Sequence, residues 1–130
     1  MTDPQHLPED QNTAAADAYF YAWQNNRPEL LADVLAPDVR VNGPLGQIDG
    51  AAQYQASLAR IFAITDRLVF HKRWTDGGDV LTWFDLHPRS GGEPFPVASW
   101  LRIDNGRISR VRVTFDVTKL LQAGDPRTPN

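Results

Sequence analysis

The stretch 96–116, PVASWLRIDNGRISRVRVTFD, decides the fold. Asn105-Gly106 stands between two runs in which apolar and polar residues alternate over most of their length. An Asn-Gly pair in that setting is the strongest short-range hairpin signal, because both turn residues must adopt a left-handed backbone. The predicted strands are 96–104 and 107–116. In the second, Val111, Val113 and Phe115 share one face while Arg110, Arg112 and Thr114 share the other. In the first, Val97, Ser99, Leu101 and Ile103 oppose Ala98, Trp100 and Arg102. The alternation fixes which side chains can line an interior, and so which can do chemistry.

Working outward, the segment before the hairpin also reads as strand: 67–74, an Asp76-Gly77-Gly78-Asp79 turn, 80–87, then a Pro/Gly loop over 88–94. The first half of the chain reads as helix. Asn12 or Thr13 can cap a helix whose Ala16, Tyr19, Phe20 and Trp23 recur at helical spacing, and Asn25-Asn26 ends it. Pro28 suits the first turn of a short second helix over 29–36. A short strand over 39–42 follows, broken by Gly43-Pro44 and Gly46. Asp49 is placed to cap a third helix over 51–64, with Tyr54, Leu58, Ile61 and Phe62 on its apolar face. Residues 117–122 can add a last helical turn, with Asp116 as its cap. Helices first and antiparallel strands after them define an α+β architecture. The expected organisation is a disordered lead-in over 1–11, a single domain over 12–122 and a frayed tail over 123–130.

Composition narrows the function. At 130 residues the chain is one domain with room for a core. A net charge of -3 without a basic cluster argues against a nucleic-acid partner. The absence of cysteine removes disulfides and thiolate chemistry. No apolar run approaches bilayer length, so no membrane partner is expected. The first eleven residues lack a basic and apolar leader pattern, and a cytoplasmic location is the default expectation. His6, His71 and His87 have no metal-ligand spacing, and no phosphate loop, dinucleotide fingerprint or nucleophile elbow occurs. Neither metal nor cofactor is expected.

Three ordered features carry a family resemblance. Tyr19-Phe20-Tyr21-Ala22-Trp23 is followed by Arg27-Pro28-Glu29-Leu30; Val41-Asn42-Gly43-Pro44-Leu45-Gly46 runs on to Gly50; Asp104-Asn105-Gly106-Arg107-Ile108 precedes Thr114-Phe115-Asp116. Together they resemble the nuclear transport factor 2-like superfamily in its SnoaL-like branch. The resemblance implies a cone: a strongly curved antiparallel sheet wrapped around three N-terminal helices and enclosing an apolar pocket. It also implies relatives of several kinds, among them ketosteroid isomerases, limonene epoxide hydrolases, polyketide cyclases and proteins that only bind. The pocket must therefore decide function.

Measured against isomerases, Tyr19 matches the hydrogen-bond donor on the first helix. Gly43 stands where the catalytic base should be, and Ser99 where a second carboxyl should be. Against epoxide hydrolases, Asn42 keeps the position two residues before a proline, and Asp85 lies near one acid. Val113 replaces the other acid, and Trp83 stands at the arginine position. The residues themselves offer a further option: Asp85 and His87 lie at i and i+2 on one strand face, where a carboxylate-oriented imidazole can act as a base. That face is either the pocket or the outside, since Phe84 and Leu86 take the opposite phase and make the better interior pair.

The expected function is a small-molecule pocket for a hydrophobic polycyclic, terpenoid or polyketide-like ligand. Trp23, Asn42, Phe84, Ser99, Val113 and Phe115 would line it. Any catalysis would be cofactor-free isomerase, cyclase or hydrolase chemistry using Tyr19, Asp85 and His87. The competing expectation is a non-catalytic binding domain. Trp100, flanked by arginines on the outer sheet face, suggests a homodimer through that face.

Overall fold

The computed structural model describes residues 9–124, with side chains described from residue 12. Six strands form one curved, unclosed sheet: β1 Leu35–Gly43, β2 Gly46–Asp49, β3 Thr65–Asp76, β4 Asp79–Pro88, β5 Phe95–Asp104 and β6 Arg107–Phe115. Their spatial order is β2-β1-β6-β5-β4-β3. Helices α1 (Glu9–Gln24) and α2 (Ala51–Ile64) pack on its inner face, and a short α3 (Val117–Ala123) follows β6 with Leu120 buried.

The hairpin forms as the alternation predicts, with Asp104 paired to Arg107 and both turn residues left-handed (φ 53° and 77°). Val111 is fully buried, but so is Ile108, which lies out of phase with it. A bulge reconciles the two: the register slips at Arg102/Ile103, leaving Ser109 as the extra residue. The Ser109 hydroxyl reaches the Asp104 carboxylate at 2.5 Å. A second slip, between Phe70 and Lys72 on β3, adds His71 to that strand.

The sheet is mixed rather than wholly antiparallel, because β1 runs parallel to β6. Several expected boundaries also move. The helix expected over 29–36 is a 3-10 helix, Pro28–Asp33. The Ile108 amide donates to the Val34 carbonyl at 2.8 Å, and Leu35 is already strand. Sheet pairing outcompetes further helix. The β2 strand has no sequence signal of its own, since four residues are too few to show a period.

Neither proposed N-cap of α1 serves, nor does that of α2. Asn12 lies inside α1, buried, with its amide donating to the Gly77 carbonyl at 2.8 Å. Thr13 also falls within that helix. Before α2 the cap position is Gly50 at φ 97°, without a side-chain hydrogen bond, while Asp49 accepts from Gln47 instead. Asp116 does cap α3, accepting from the Thr118 and Lys119 amides. Residues 9–11 of the expected lead-in are helical; 1–8, and the tail from 125, lie outside the described residues.

The stripe Ala16, Tyr19, Phe20 and Trp23 is buried as its spacing requires. Asn26, left-handed at φ 50°, ends the helix in a Schellman turn, with the Arg27 amide bonded to the Ala22 carbonyl at 2.9 Å. Trp23 stacks on Phe62 of α2 with ring centroids 5.7 Å apart, and meets Phe84 of β4 edge-on at 5.4 Å. This aromatic contact ties both helices to the middle of the sheet. Among the described residues, no helix is long and apolar enough to cross a membrane.

Candidate functional site: an apolar cavity with a phenol pair

The cavity opens between α1, α2, the β1–β2 turn, the ends of β4 to β6 and α3. It is small, about 60 Å³, within about 600 Å³ of atom-free space that includes open solvent at its mouth. Its walls come from inward phases of several elements: Trp23, Leu58, Leu86, Val97, Val113 and Phe115. Leu45, at the tip of the β1–β2 turn, and Leu120 of α3 also line it. Gly43 keeps the wall thin, since a Cβ there would sit 3.0 Å from Val113 Cγ1.

Two phenols supply most of the polarity. Tyr19 projects from α1 and Tyr54 from α2, both buried, with their hydroxyl oxygens 2.6 Å apart. One O–H donates to the other oxygen. The remaining O–H has no acceptor among the described residues, and both tyrosines line the cavity. Burial pushes the Tyr19 pKa well above its ordinary value, against a smaller lowering by the bond to Tyr54. Burial, and then proximity to Tyr19, raise Tyr54 as well. Both groups therefore stay protonated at neutral pH and act as donors, not bases. Ser57 also lies on the lining and adds a hydroxyl-bearing side chain.

The remaining expected site residues divide. Trp23, Val113 and Phe115 line the cavity with Tyr19. Trp23 has its indole N–H committed to the Thr65 hydroxyl at 3.0 Å, so toward the cavity it offers an apolar ring. Phe84 is fully buried in the aromatic cluster behind the cavity wall. Ser99, expected on the lining, is not part of it: it is buried on the inward phase of β5, paired across the strands with Val113, and its hydroxyl has no partner among the described residues. Asn42 does not join them: it is exposed and lines a groove on the outer face.

Asp85 and His87 also lie on the side of β4 away from the cavity, since Phe84 and Leu86 take the inward phase at 0% and 1% exposure. Asp85 is held not by His87 but by His71, whose Nε2 lies 2.9 Å from its carboxylate. The β3 bulge brings His71 there. Among the described residues no carboxylate, imidazole, amine or guanidinium lines the cavity, and no group of His, Cys, Asp and Glu suited to a metal occurs.

Tyr54 is the polar cavity residue that the sequence did not single out. Helical spacing puts it on the apolar face of α2, where it reads as core. A buried tyrosine needs a hydrogen-bond partner, and only another inward-facing polar group can serve; that requirement is the available signal.

An α+β cone, with a curved mixed sheet around helices and an apolar cavity at its open end, is the nuclear transport factor 2-like fold. Within it the chain belongs to the SnoaL-like domain family, whose model matches residues 16–111. A crystal structure of a protein from Kribbella flavida DSM 17836 is similar to 85% of this chain and 90% of its own, at 26% identity and a TM-score of 0.77. An LEH-like epoxide hydrolase of M. tuberculosis shares the fold at 24% identity and a TM-score of 0.72, covering 88% and 90% of the two chains. An NTF2-like protein of unknown function from Cytophaga hutchinsonii ATCC 33406 does so at 20% identity and a TM-score of 0.72, covering 85% and 94%. Among curated proteins none matches this chain.

Proposed function

We propose that this chain is a small-molecule-binding member of its family, taking a neutral, largely apolar ligand that carries a hydrogen-bond acceptor such as a ketone. One observation carries this reading: among the described residues, the polar side chains on the cavity lining are the Tyr19–Tyr54 pair, Ser57 and the committed indole of Trp23. A spare phenol O–H in an apolar wall rewards an acceptor, while a carboxylate entering the same space would lose its hydration without meeting a cation. The small cavity has room for one end of a polycyclic or terpenoid ligand, with the rest lying at the mouth beside exposed Leu45. Binding is favoured over turnover because Asp85 and His87 lie outside, leaving no base within reach of a bound carbonyl.

The test is titration calorimetry with a neutral bicyclic enone, its carboxylate analogue and the parent hydrocarbon. The enone is expected to bind most tightly, and Asp85→Asn and His87→Gln to leave that affinity unchanged. Tightest binding of the carboxylate contradicts the reading. Conversion of the enone to an isomer by wild type, abolished in Asp85→Asn, contradicts it too.

The partner proposed for the outer sheet face is a second copy of the chain. By register Trp74, Leu81 and Trp100 form one row across β3, β4 and β5, with Trp83 two residues along β4 on the same face. They are 49%, 38%, 44% and 45% exposed in that order, and contiguous exposed aromatics mark contact surfaces. Light scattering at micromolar concentration should give a dimer mass for wild type and a monomer mass for Trp83→Asp/Trp100→Asp. A monomer mass for wild type contradicts the proposal.

A further inference from the structure

The outer face carries a second feature, toward β1. By register Arg110 of β6 faces Arg40 of β1 on one side and Arg102 of β5 on the other. Arg112 follows two residues along on the same face. Like charges set opposite one another across strands destabilise a sheet. Arg102 is answered by Asp79 at 3.1 Å and Asp104 at 3.3 Å. Arg40, Arg110 and Arg112 form no ion pair among the described residues.

Acids are not scarce, since the chain has 16 against 13 lysines and arginines. Asp79 lines a neighbouring hollow with Arg110 and Arg112 but forms its ion pair with Arg102. Its other oxygen already accepts the Trp100 indole N–H at 3.0 Å.

Arg110 and Arg112 line a groove of about 620 Å³ together with Asn42 and Trp100, over a floor that includes Leu81 and Ala98. The Arg112 guanidinium lies over the Trp100 ring, 5.5 Å from its centre, a cation–π contact that favours this position of the side chain. The groove shares only Gly43, Pro44 and Val113 with the interior cavity. These residues are the wall between them.

We infer that this groove binds an organic anion, a carboxylate or phosphate carried on a flat apolar group. The two guanidiniums take the charged oxygens through paired N–H donors, the Asn42 amide adds a neutral donor, and Leu81 and Ala98 receive the apolar part. The two concavities then select opposite chemistry, a neutral ligand inside and a charged one outside. The outer site stands on different residues from the proposed interior function; it shares Leu81 and Trp100 with the face proposed for a second copy, so anion and second copy compete for that end of the groove.

Calorimetry of the intact protein with phenyl phosphate and with inorganic phosphate tests this. Wild type should bind phenyl phosphate more tightly than inorganic phosphate, and more weakly as salt rises. Arg110→Gln/Arg112→Gln should weaken binding by roughly tenfold or more. Arg112→Lys, which keeps the charge and loses the fork, should fall between, and Arg67→Gln on β3 should match wild type. No binding of either anion by wild type overturns the inference, as does undiminished binding by the double variant. A double variant that alters only the oligomeric mass overturns it as well, and assigns the arginines to contact between copies.

Discussion

A hydroxyl–hydroxyl hydrogen bond between two buried phenols behaves unlike a pair of independent residues. Removing one oxygen leaves the other desolvated and unpaired, at a cost of about 1–3 kcal/mol, whereas removing both leaves two apolar rings of nearly unchanged shape. Tyr19→Phe and Tyr54→Phe should therefore each lower stability, and the double variant should lose less than the sum. Chemical denaturation of the four proteins measures the coupling, and strict additivity would sink the assignment.

The same pair contributes to stability in a pH-dependent way. Because both phenol pKa values are raised in the folded protein, the contribution is fully present below the ordinary phenol value of about 10 and is lost as pH climbs above it. The double Phe variant should show a flatter decline in that range. An unchanged alkaline profile would mean that the pair is not buried in solution.

At the scale of elements, what the chain announces locally it forms locally. The Asn105-Gly106 turn, the helix over 51–64 and the Asp116 cap each depend on neighbours a few residues away, and each appears where the pattern puts it. Elements set by distant pairing are harder to read. Leu35 leaves the expected helix because β6 offers its backbone a partner. The four residues of β2 acquire strand character only beside β1. Bulges at Ser109 and His71 shift phase in ways that alternation alone does not reveal.

The cap gives a direct test. Asp116→Ala should cost about 1 kcal/mol, read as a lower thermal midpoint, and Asp116→Asn should recover most of it. An equal loss in both would point to charge rather than capping. Gly106, at φ 77° with nothing within 4 Å of where a Cβ would stand, should resist Ala through backbone strain alone, by about 1 kcal/mol.

For the whole molecule, the middle of the sheet sorts chemistry by side. Its inner face, with α1 and α2, holds the aromatic cluster and the phenols; its outer face holds Asp79, Asp85, His87, Arg102, Arg110 and Arg112. The cone is legible from the order of elements and from the motifs, because those record the chain path. The side on which Asp85 and His87 stand is not, since period 2 assigns residues to faces without saying which face is inside. Phe84 and Leu86 settle it by burial. Asn42 misleads for a related reason: its relation to Pro44 is the expected one, but Val41 takes the inward phase.

The central claim is that a bound carbonyl accepts a hydrogen bond from the Tyr19–Tyr54 pair in an interior without an acid–base residue. Carbon-13 NMR of a neutral bicyclic enone labelled at its carbonyl, bound to wild type and to Tyr19→Phe/Tyr54→Phe, addresses it most directly. A downfield carbonyl shift is expected in wild type that disappears in the double variant while the enone still binds, more weakly. The same shift in both proteins would contradict it.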